Sequence, residues 1–287
     1  MPNSPHFDSP QDVAERLQGT GYVSSPRIAN VVHLAERLGK PVLVEGPAGT
    51  GKTQLAKSVA ESSGLRLIRL QCYEGLDEAK ALYEWDYRKQ LLHIAEVNAA
   101  GADHSETALF DERFLLTRPL LEAIRADEPV VLLIDEVDRL DIETEALLLE
   151  VLSDFQVSIP ELGTLRARTT PLVFLTSNNS RELSEALKRR CLYLHIGYPT
   201  MEREREIVLA QVPDITAILA EKVSQLVRSL RSLELKKKPS VSETLDWART
   251  LVLLGADEVS TGLLEDTLPV LLKHESDIEL AVKELGE

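Results

Sequence analysis

Little in this chain of 287 residues points to disulfide or metal-centred chemistry. Only two cysteines occur, Cys72 and Cys191, far apart and outside any CxxC spacing, so neither a disulfide framework nor a zinc knuckle is indicated. The six histidines are scattered and no HExxH occurs. Positive charge is scarce: 32 Lys and Arg stand against 47 Asp and Glu, a formal net charge of -15. The basic stripe needed for broad, sequence-independent binding to a nucleic-acid backbone is therefore missing, and only a small local basic patch stays compatible. No apolar run approaches the roughly 20 residues of a membrane span. The opening "MPNSPHFDSPQDVAERL" lacks a basic region followed by an apolar one, so no signal peptide is read there. A soluble cytoplasmic protein is the expectation.

What is present is an apolar share of 44%, gathered in Leu/Val/Ile-rich runs that exclude a disordered chain. The length can bury one large core, or one core plus a smaller second one. Residues 1–10 hold three prolines and read as loose, and residues 1–25 are assigned to an N-terminal lead-in. Ile28, Val31, Val32, Ala35 and Leu38 recur at helical spacing, which predicts an amphipathic helix over about 26–39, closed by Gly39. "PVLVEG" (41–46) predicts a strand, and a helix is expected from Lys52 to Gly64. "LRLIRLQCY" (65–73) and "PVVLLIDE" (129–136) predict two more strands, the latter without polar alternation, as when both faces are covered.

"TEALLLEVLSD" (144–154) reads as a buried helix, and a β-hairpin is expected over about 155–168. "PLVFLTSNN" (171–179) and "CLYLHI" (191–196) complete five core strands. Strands alternating with helices give an α/β fold, a parallel sheet with helices on both faces. After "GYPT" (197–200) only helices are predicted, so a core over 26–199 is followed by a small all-α unit over 200–287. The polar, irregular stretch of about 74–118 is longer than a strand-to-helix connection needs, and such insertions are usually functional.

"GPAGTGKT" matches G-x-x-x-x-G-K-[ST], with a predicted strand before it and a helix after it. Gly46, Pro47, Ala48, Gly49, Thr50, Gly51, Lys52 and Thr53 would form a loop whose N–H groups converge on one anion at a helix N-terminus. Lys52 would reach the β- and γ-phosphates of ATP, and the Thr53 hydroxyl would bind Mg²⁺. "VVLLIDE" delivers Asp135 and Glu136 to the C-terminal edge of the sheet, where ligands bind in such folds. Asp135 would hold Mg²⁺ through water and Glu136 would polarise the attacking water. Asn178 ends the "LVFLTSN" strand, where a short amide can orient water against the γ-phosphate; Asn179 is the nearer rival.

"GPAGTGKT", "LLIDEVD", "FLTSNN" and "EALKRRC", in this order over residues 41–196 and followed by a helical lid, resemble an AAA+ ATPase. The insertion and the hairpin before "FLTSNN" resemble the MoxR branch. Within it, "QCYEGLDEAKALYEWDY", "VSIPELGTLRA" and "LKRRCLYLHIGYP" resemble the CoxD-like group. The resemblance implies a P-loop AAA+ ATPase domain with a small all-α C-terminal lid, assembled into a homo-oligomeric ring, usually a hexamer, with ATP between subunits. It also implies a von Willebrand factor A-type partner protein and a protein client, in this group a molybdenum hydroxylase of the carbon monoxide dehydrogenase type. Aligning "ALKRRC" on the family pattern puts Arg190 in the position of the arginine that reaches a neighbour's phosphate, with Arg189 second. Otherwise Lys188, Arg189 and Arg190 form a solvated turn that complements a helix dipole.

Many AAA+ lids place an arginine early in a late helix to touch the γ-phosphate. Here Glu243 stands at about that position, and Ser240-x-x-Glu243 reads as a capping box, which argues against a second sensor. Arg249, further on, is not assigned the role. The aromatics of "LQCYEG" and "YEWDYRKQLL" either pack within the subunit or form a pore or partner surface, and the "IPELGT" hairpin tip is a candidate to face the pore. Two rival functions remain compatible with the motifs: a nucleic-acid machine such as a helicase or loader subunit, disfavoured by the acidic balance, and a slow nucleotide-gated switch.

Overall fold

The structure, a computed structural model, describes residues 6–99 and 109–285. Residues 1–5 of the expected lead-in, 100–108 of the insertion and 286–287 of the helical unit lie outside the described residues. The chain begins with α1 (Pro10–Gly19) and α2 (Pro26–Leu38), then runs β1 (Val42–Glu45), α3 (Lys52–Ser63) and β2 (Arg66–Gln71). Next come α4 (Glu78–Ala81), β3 (Tyr83–Trp85), α5 (Tyr87–Ala99), β4 (Leu115–Thr117), α6 (Pro119–Arg125) and β5 (Val130–Asp135). α7 (Ile142–Asp154) leads to β6 (Gln156–Ile159), β7 (Gly163–Arg166), β8 (Leu172–Ser177), α8 (Glu185–Lys188) and β9 (Leu192–His195). The rest is helical: α9 (Met201–Gln211), α10 (Ala217–Ser232), α11 (Val241–Leu253), α12 (Thr261–Leu271) and α13 (Glu275–Leu285).

Five strands form one parallel sheet in the order β2-β5-β8-β1-β9. The apolar runs of the sequence divide between its two faces with the period of two that a strand imposes. Val42, Val44, Val131, Leu133, Leu172 and Phe174 pack with residues of α1, α2 and α3. Leu43, Leu132, Ile134, Val173 and Leu175 pack with α6 and α7 on the other side. Both faces are covered, as the uninterrupted hydrophobicity of β5 and β8 requires. β9 lies on the far side of β1 from the other strands, so the connectivity reverses direction beside β1, and ligands of such sheets bind at that switch.

Two expectations need amendment. The stretch read as a lead-in carries α1, started by Ser9, whose side chain accepts a hydrogen bond from the Asp12 N–H, and by Pro10 in the first turn. Phe7, Val13 and Leu17 are fully buried in the core. With so few apolar residues in α1, its periodicity is too thin to stand out from the prolines before it. The 74–118 insertion is likewise ordered over its described part: β3 and β4 pair antiparallel, and Trp85, Phe114 and Leu115 join the core beneath α6. Trp85 therefore packs within the subunit, with Tyr83 and Phe110 edge-on against it, whereas Tyr73 and Tyr87 are exposed. The expected hairpin is β6 paired with β7.

The C-terminal helices close around a third apolar cluster centred on Trp247, whose indole N–H donates to Thr267 Oγ1 at 2.8 Å. A buried ion pair ties three of these helices to the end of the sheet. Arg231 donates to both carboxylate oxygens of Glu204, at 2.5 and 2.7 Å. It donates further to the Pro239 carbonyl at 2.8 Å and lies 4.8 Å from the ring centroid of Tyr198, just beyond β9. Removing one partner of a buried pair leaves the other charge uncompensated. We expect Glu204→Ala to cost about 3–5 kcal/mol, read as a lower midpoint of urea unfolding. A wild-type midpoint would show that Arg231 finds water instead.

Candidate nucleotide site

β1 ends at Glu45 and the chain turns through Gly46–Gly51 into α3, which starts at Lys52. At two positions the crowding leaves room for no side chain. A Cβ on Gly46 would lie 1.9 Å from the Ile196 carbonyl oxygen, and one on Gly49, at φ 70°, would lie 2.3 Å from Ser240 Oγ. Pro47 and Ala48 form the outer tip, while the Thr50 hydroxyl donates to the carbonyls of Pro47 (2.9 Å) and Ile196 (3.1 Å). The loop is thus fixed by the end of β9 on one side and the start of α11 on the other. Lys52 is buried, and its ammonium donates to the carbonyls of Gly46 (2.8 Å) and Pro47 (2.7 Å) across the loop. Burial lowers its pKa, and the carboxylates of Asp138, Asp135 and Glu136 oppose that shift.

Asp135, at the end of β5, is buried and fully engaged. Oδ1 accepts from Thr53 Oγ1 at 2.8 Å and Thr176 Oγ1 at 2.5 Å; Oδ2 accepts from Arg69 Nη2 at 2.5 Å and Nε at 3.1 Å. A hydroxyl and a carboxylate are the hard oxygen ligands that suit Mg²⁺, so the donor set fits the ion expected between Thr53 and Asp135. Glu136 follows with φ 58°, a left-handed conformation that is strained for glutamate. Its N–H donates to Thr176 Oγ1 at 2.9 Å and its carboxylate pairs with Arg139 at 2.7 Å. Asn178 is half-buried at the end of β8, while Asn179, in a left-handed turn, is exposed. The structure therefore brings Lys52, Thr53, Asp135, Glu136 and Asn178 to one edge of the sheet.

Arg189 and Arg190 lie apart from them, exposed at the end of α8. That helix is anchored by Glu145 of α7, which is buried and accepts from Arg181 Nη2 at 2.7 Å and from the Ser184 N–H at 2.8 Å. Arg190 is held too: its Nε donates to Ser153 Oγ of α7, and Nη1 donates to the Ala186 carbonyl at 2.9 Å. The Arg189 side chain has no partner among the described residues.

A cavity of about 430 Å³ opens beside the loop, between Gly49–Gly51, the 21–28 segment, the 194–200 segment and helices α9 and α11. The helical unit reaches across it through Arg203 Nη2, which donates to the Val23 carbonyl at 2.9 Å, and Gln211 Nε2, which donates to the Gly21 carbonyl at 2.7 Å. The capping box at Ser240 and Glu243 is present, so Glu243 serves the helix end and also accepts from Lys237 at 3.1 Å. Arg249 does line the cavity, with its guanidinium 3.1 Å from Asp246. Sequence reasoning missed Arg69, Asp138, Thr176 and Arg203. The signals for the first two were an arginine inside the apolar "LRLIRLQ" and a second aspartate three residues after Asp135.

A family model described as "ATPase family associated with various cellular activities (AAA)" matches residues 42–198, more than half of the chain. The denitrification regulatory protein NirQ of Pseudomonas aeruginosa is 25% identical over 245 residues, covering 82% of this chain and 85% of that one. The chaperone ClpB of Mycoplasma pneumoniae is 28% identical over 183 residues, 61% of this chain but only 22% of ClpB's length. The proteasome-activating nucleotidase of Methanospirillum hungatei is 32% identical over 145 residues, covering 44% of this chain and 35% of that protein. Among solved structures, the Holliday junction branch migration motor RuvB of Thermotoga maritima aligns with TM-score 0.46 and 20% identity, covering 93% of this chain and 72% of the other. No helix among the described residues is long and apolar enough to cross a membrane.

The carboxylates that anchor the 178–184 segment carry a pH dependence. Burial pushes Asp138 and Glu145 up. Hydrogen bonds from Ser180 and Asn178 to Asp138, and from Ser184 and Arg181 to Glu145, outweigh it, so both lie below the usual carboxylate range. Such groups add stability above their unfolded pKa values, about 3.9 for Asp and 4.3 for Glu, and lose it as pH falls through the folded ones. The denaturation midpoint should therefore drop on the acid side of about pH 4–5, and Glu145→Gln should flatten that limb. Superimposable acid limbs would remove Glu145 from the account.

Proposed function

The chain belongs to the AAA family of ATPases, and from that premise we propose that it is a MoxR-type Mg²⁺-dependent ATPase of the CoxD-like group that remodels a protein client. One observation carries the hydrolytic reading: Thr53 Oγ1 and Asp135 Oδ1, 82 residues apart in the chain, meet at 2.8 Å beside Lys52 and the glycine loop. When bound there by Thr53 and by Asp135 through water, Mg²⁺ would supply charge neutralisation between the β- and γ-phosphates. Gly46–Gly51 would wrap the phosphates, with the backbone N–H groups of Ala48, Gly49, Thr50 and Gly51 as donors and Pro47, which has no N–H, only shaping the turn. Lys52 would exchange its two loop carbonyls for phosphate oxygens. Glu136 would leave Arg139 and accept a proton from the attacking water, and the Asn178 amide would orient that water against the γ-phosphate.

Support for the MoxR branch comes from the β6–β7 hairpin directly before β8 and from the β3–α5–β4 insertion, the two features that carry the resemblance. In this reading the subunits form a homo-oligomeric ring, a hexamer, in the cytoplasm, working with a von Willebrand factor A-type partner on a client of the molybdenum hydroxylase class. Arg190 would reach the phosphate of the adjacent subunit, with Arg189 second. Arg190 is oriented in advance by Ser153 and Ala186, which spares it part of the ordering entropy of binding.

Two measurements test this. Glu136→Gln should bind ATP as wild type does and lose about 10²–10⁴ in turnover, the range for removing a general base; undiminished turnover would take Glu136 out of the mechanism. Arg190→Ala should bind ATP and hydrolyse it poorly, and mixing it with Lys52→Ala subunits should restore part of the activity, because each variant supplies what the other lacks. Absence of rescue with Arg190→Ala, but rescue with Arg189→Ala, would transfer the role to Arg189.

A further inference from the structure

Asp138 lies in a single 3₁₀ turn (Val137–Arg139) directly after Glu136 and is 4% exposed. Its Oδ2 accepts three hydrogen bonds from the turn that follows β8: from the Asn178 N–H at 3.2 Å, the Ser180 N–H at 2.9 Å and Ser180 Oγ at 2.6 Å. Between those two residues Asn179 takes a left-handed conformation, its N–H on Ser177 Oγ at 3.0 Å. One carboxylate oxygen therefore spans the turn and fixes the direction in which the chain leaves β8 at Asn178.

The other oxygen, Oδ1, is buried and has no partner among the described residues. An unpaired buried carboxylate oxygen works against stability, and such groups are kept at sites where something other than stability selects them. The negative charge of Asp138, like those of Asp135 and Glu136, also favours the charged form of Lys52 against the effect of burial. The carboxylate thus holds the backbone of the asparagine that would meet the attacking water, and only Val137 separates Asp138 in the chain from Glu136, which would polarise that water.

We propose that Asp138 is a positioning residue for ATP hydrolysis, clamping the Asn178–Ser180 turn so that the Asn178 amide is held at the place of the terminal phosphate. The proposal rests on the role given to Asn178 above. It makes Asp138 matter for the step that involves the γ-phosphate and not for holding ADP.

The test uses the full chain with Asp138→Ala, Asp138→Asn, Ser180→Ala, Asn178→Ala and the double variant Asp138→Ala/Asn178→Ala. Steady-state ATP turnover and the Kd for a fluorescent ADP are measured for each. Asp138→Ala should lower kcat by about tenfold or more, the scale on which misplacing a catalytic group is felt, with the ADP Kd unchanged within about twofold. Asp138→Asn should recover most of kcat, because the amide oxygen accepts the same three hydrogen bonds without the buried charge. The double variant should be no slower than Asn178→Ala alone. Ser180→Ala removes one clamp bond and should lower kcat severalfold, which keeps the test open if Asp138→Ala does not fold.

A slow Asn178→Ala beside a wild-type rate for Asp138→Ala overturns the clamp and leaves the role of Asn178 intact. A wild-type rate for Asn178→Ala overturns that role first. Multiplying effects in the double variant, or Asp138→Asn as slow as Asp138→Ala, would show that Asp138 acts through its charge elsewhere, and the clamp fails.

Discussion

The arrangement turns on one buried anion. Asp135 closes β5 with a buried carboxylate, and a charge so placed is costly unless donors match it. Its donors come from three other elements: Thr53 from the first turn of α3, Thr176 from β8 and Arg69 from β2. They converge because Leu133 and Asp135 of β5, Phe174 and Thr176 of β8 and Arg69 of β2 lie in register across a parallel sheet. A slip of one residue in any strand would turn its side chains to the opposite face and strand the carboxylate. Sheet register and site chemistry are thus one constraint.

The same sharing of partners shapes the turns beyond the strands. Thr176 serves Asp135 and also receives the Glu136 N–H, which is how a glutamate is held in a left-handed backbone that costs about 1–3 kcal/mol. Asp138 and Glu145, on the segment that follows, hold residues 178, 180, 181 and 184. The strip from Asn178 to the α8 arginines is therefore borne by carboxylates of the β5–α7 segment. A shift of the end of β8 would be carried toward the exposed arginines through these hydrogen bonds.

Much of this was legible in the chain. The five core strands, α2, α3, α7 and the β6–β7 hairpin follow from apolar runs and turn residues, because a buried parallel sheet writes itself as uninterrupted Val, Leu and Ile. That the glycine loop, Asp135, Glu136 and Asn178 meet at one sheet edge was legible because each is bound to a strand end. Arg69 was not: its charge sits mid-strand, and only the register shows that it reaches Asp135 two residues along the neighbouring strand. Nor was α1, whose few buried side chains give too short a period to read. The cavity was hidden for a different reason, since its walls come from residues 21–28, 194–200 and two later helices that no local pattern links.

Those walls also show how the C-terminal helices are joined to the rest of the chain. Their apolar cluster is separate from the two that cover the sheet. Polar groups make the joints at the cavity: Arg203 on the Val23 carbonyl, Gln211 on the Gly21 carbonyl and the Ser242 N–H on the Gly49 carbonyl at 3.2 Å. Hydrogen bonds of this kind contribute about 0.5–1.5 kcal/mol each, enough to set an orientation and little enough to be exchanged. The joint at Gly49 lies inside the glycine loop itself, and only a glycine admits Ser240 so close. A phosphate drawing the loop N–H groups inward would act on the carbonyl that α11 holds, so of these joints the one at Gly49 would couple occupancy of the loop most directly to α11.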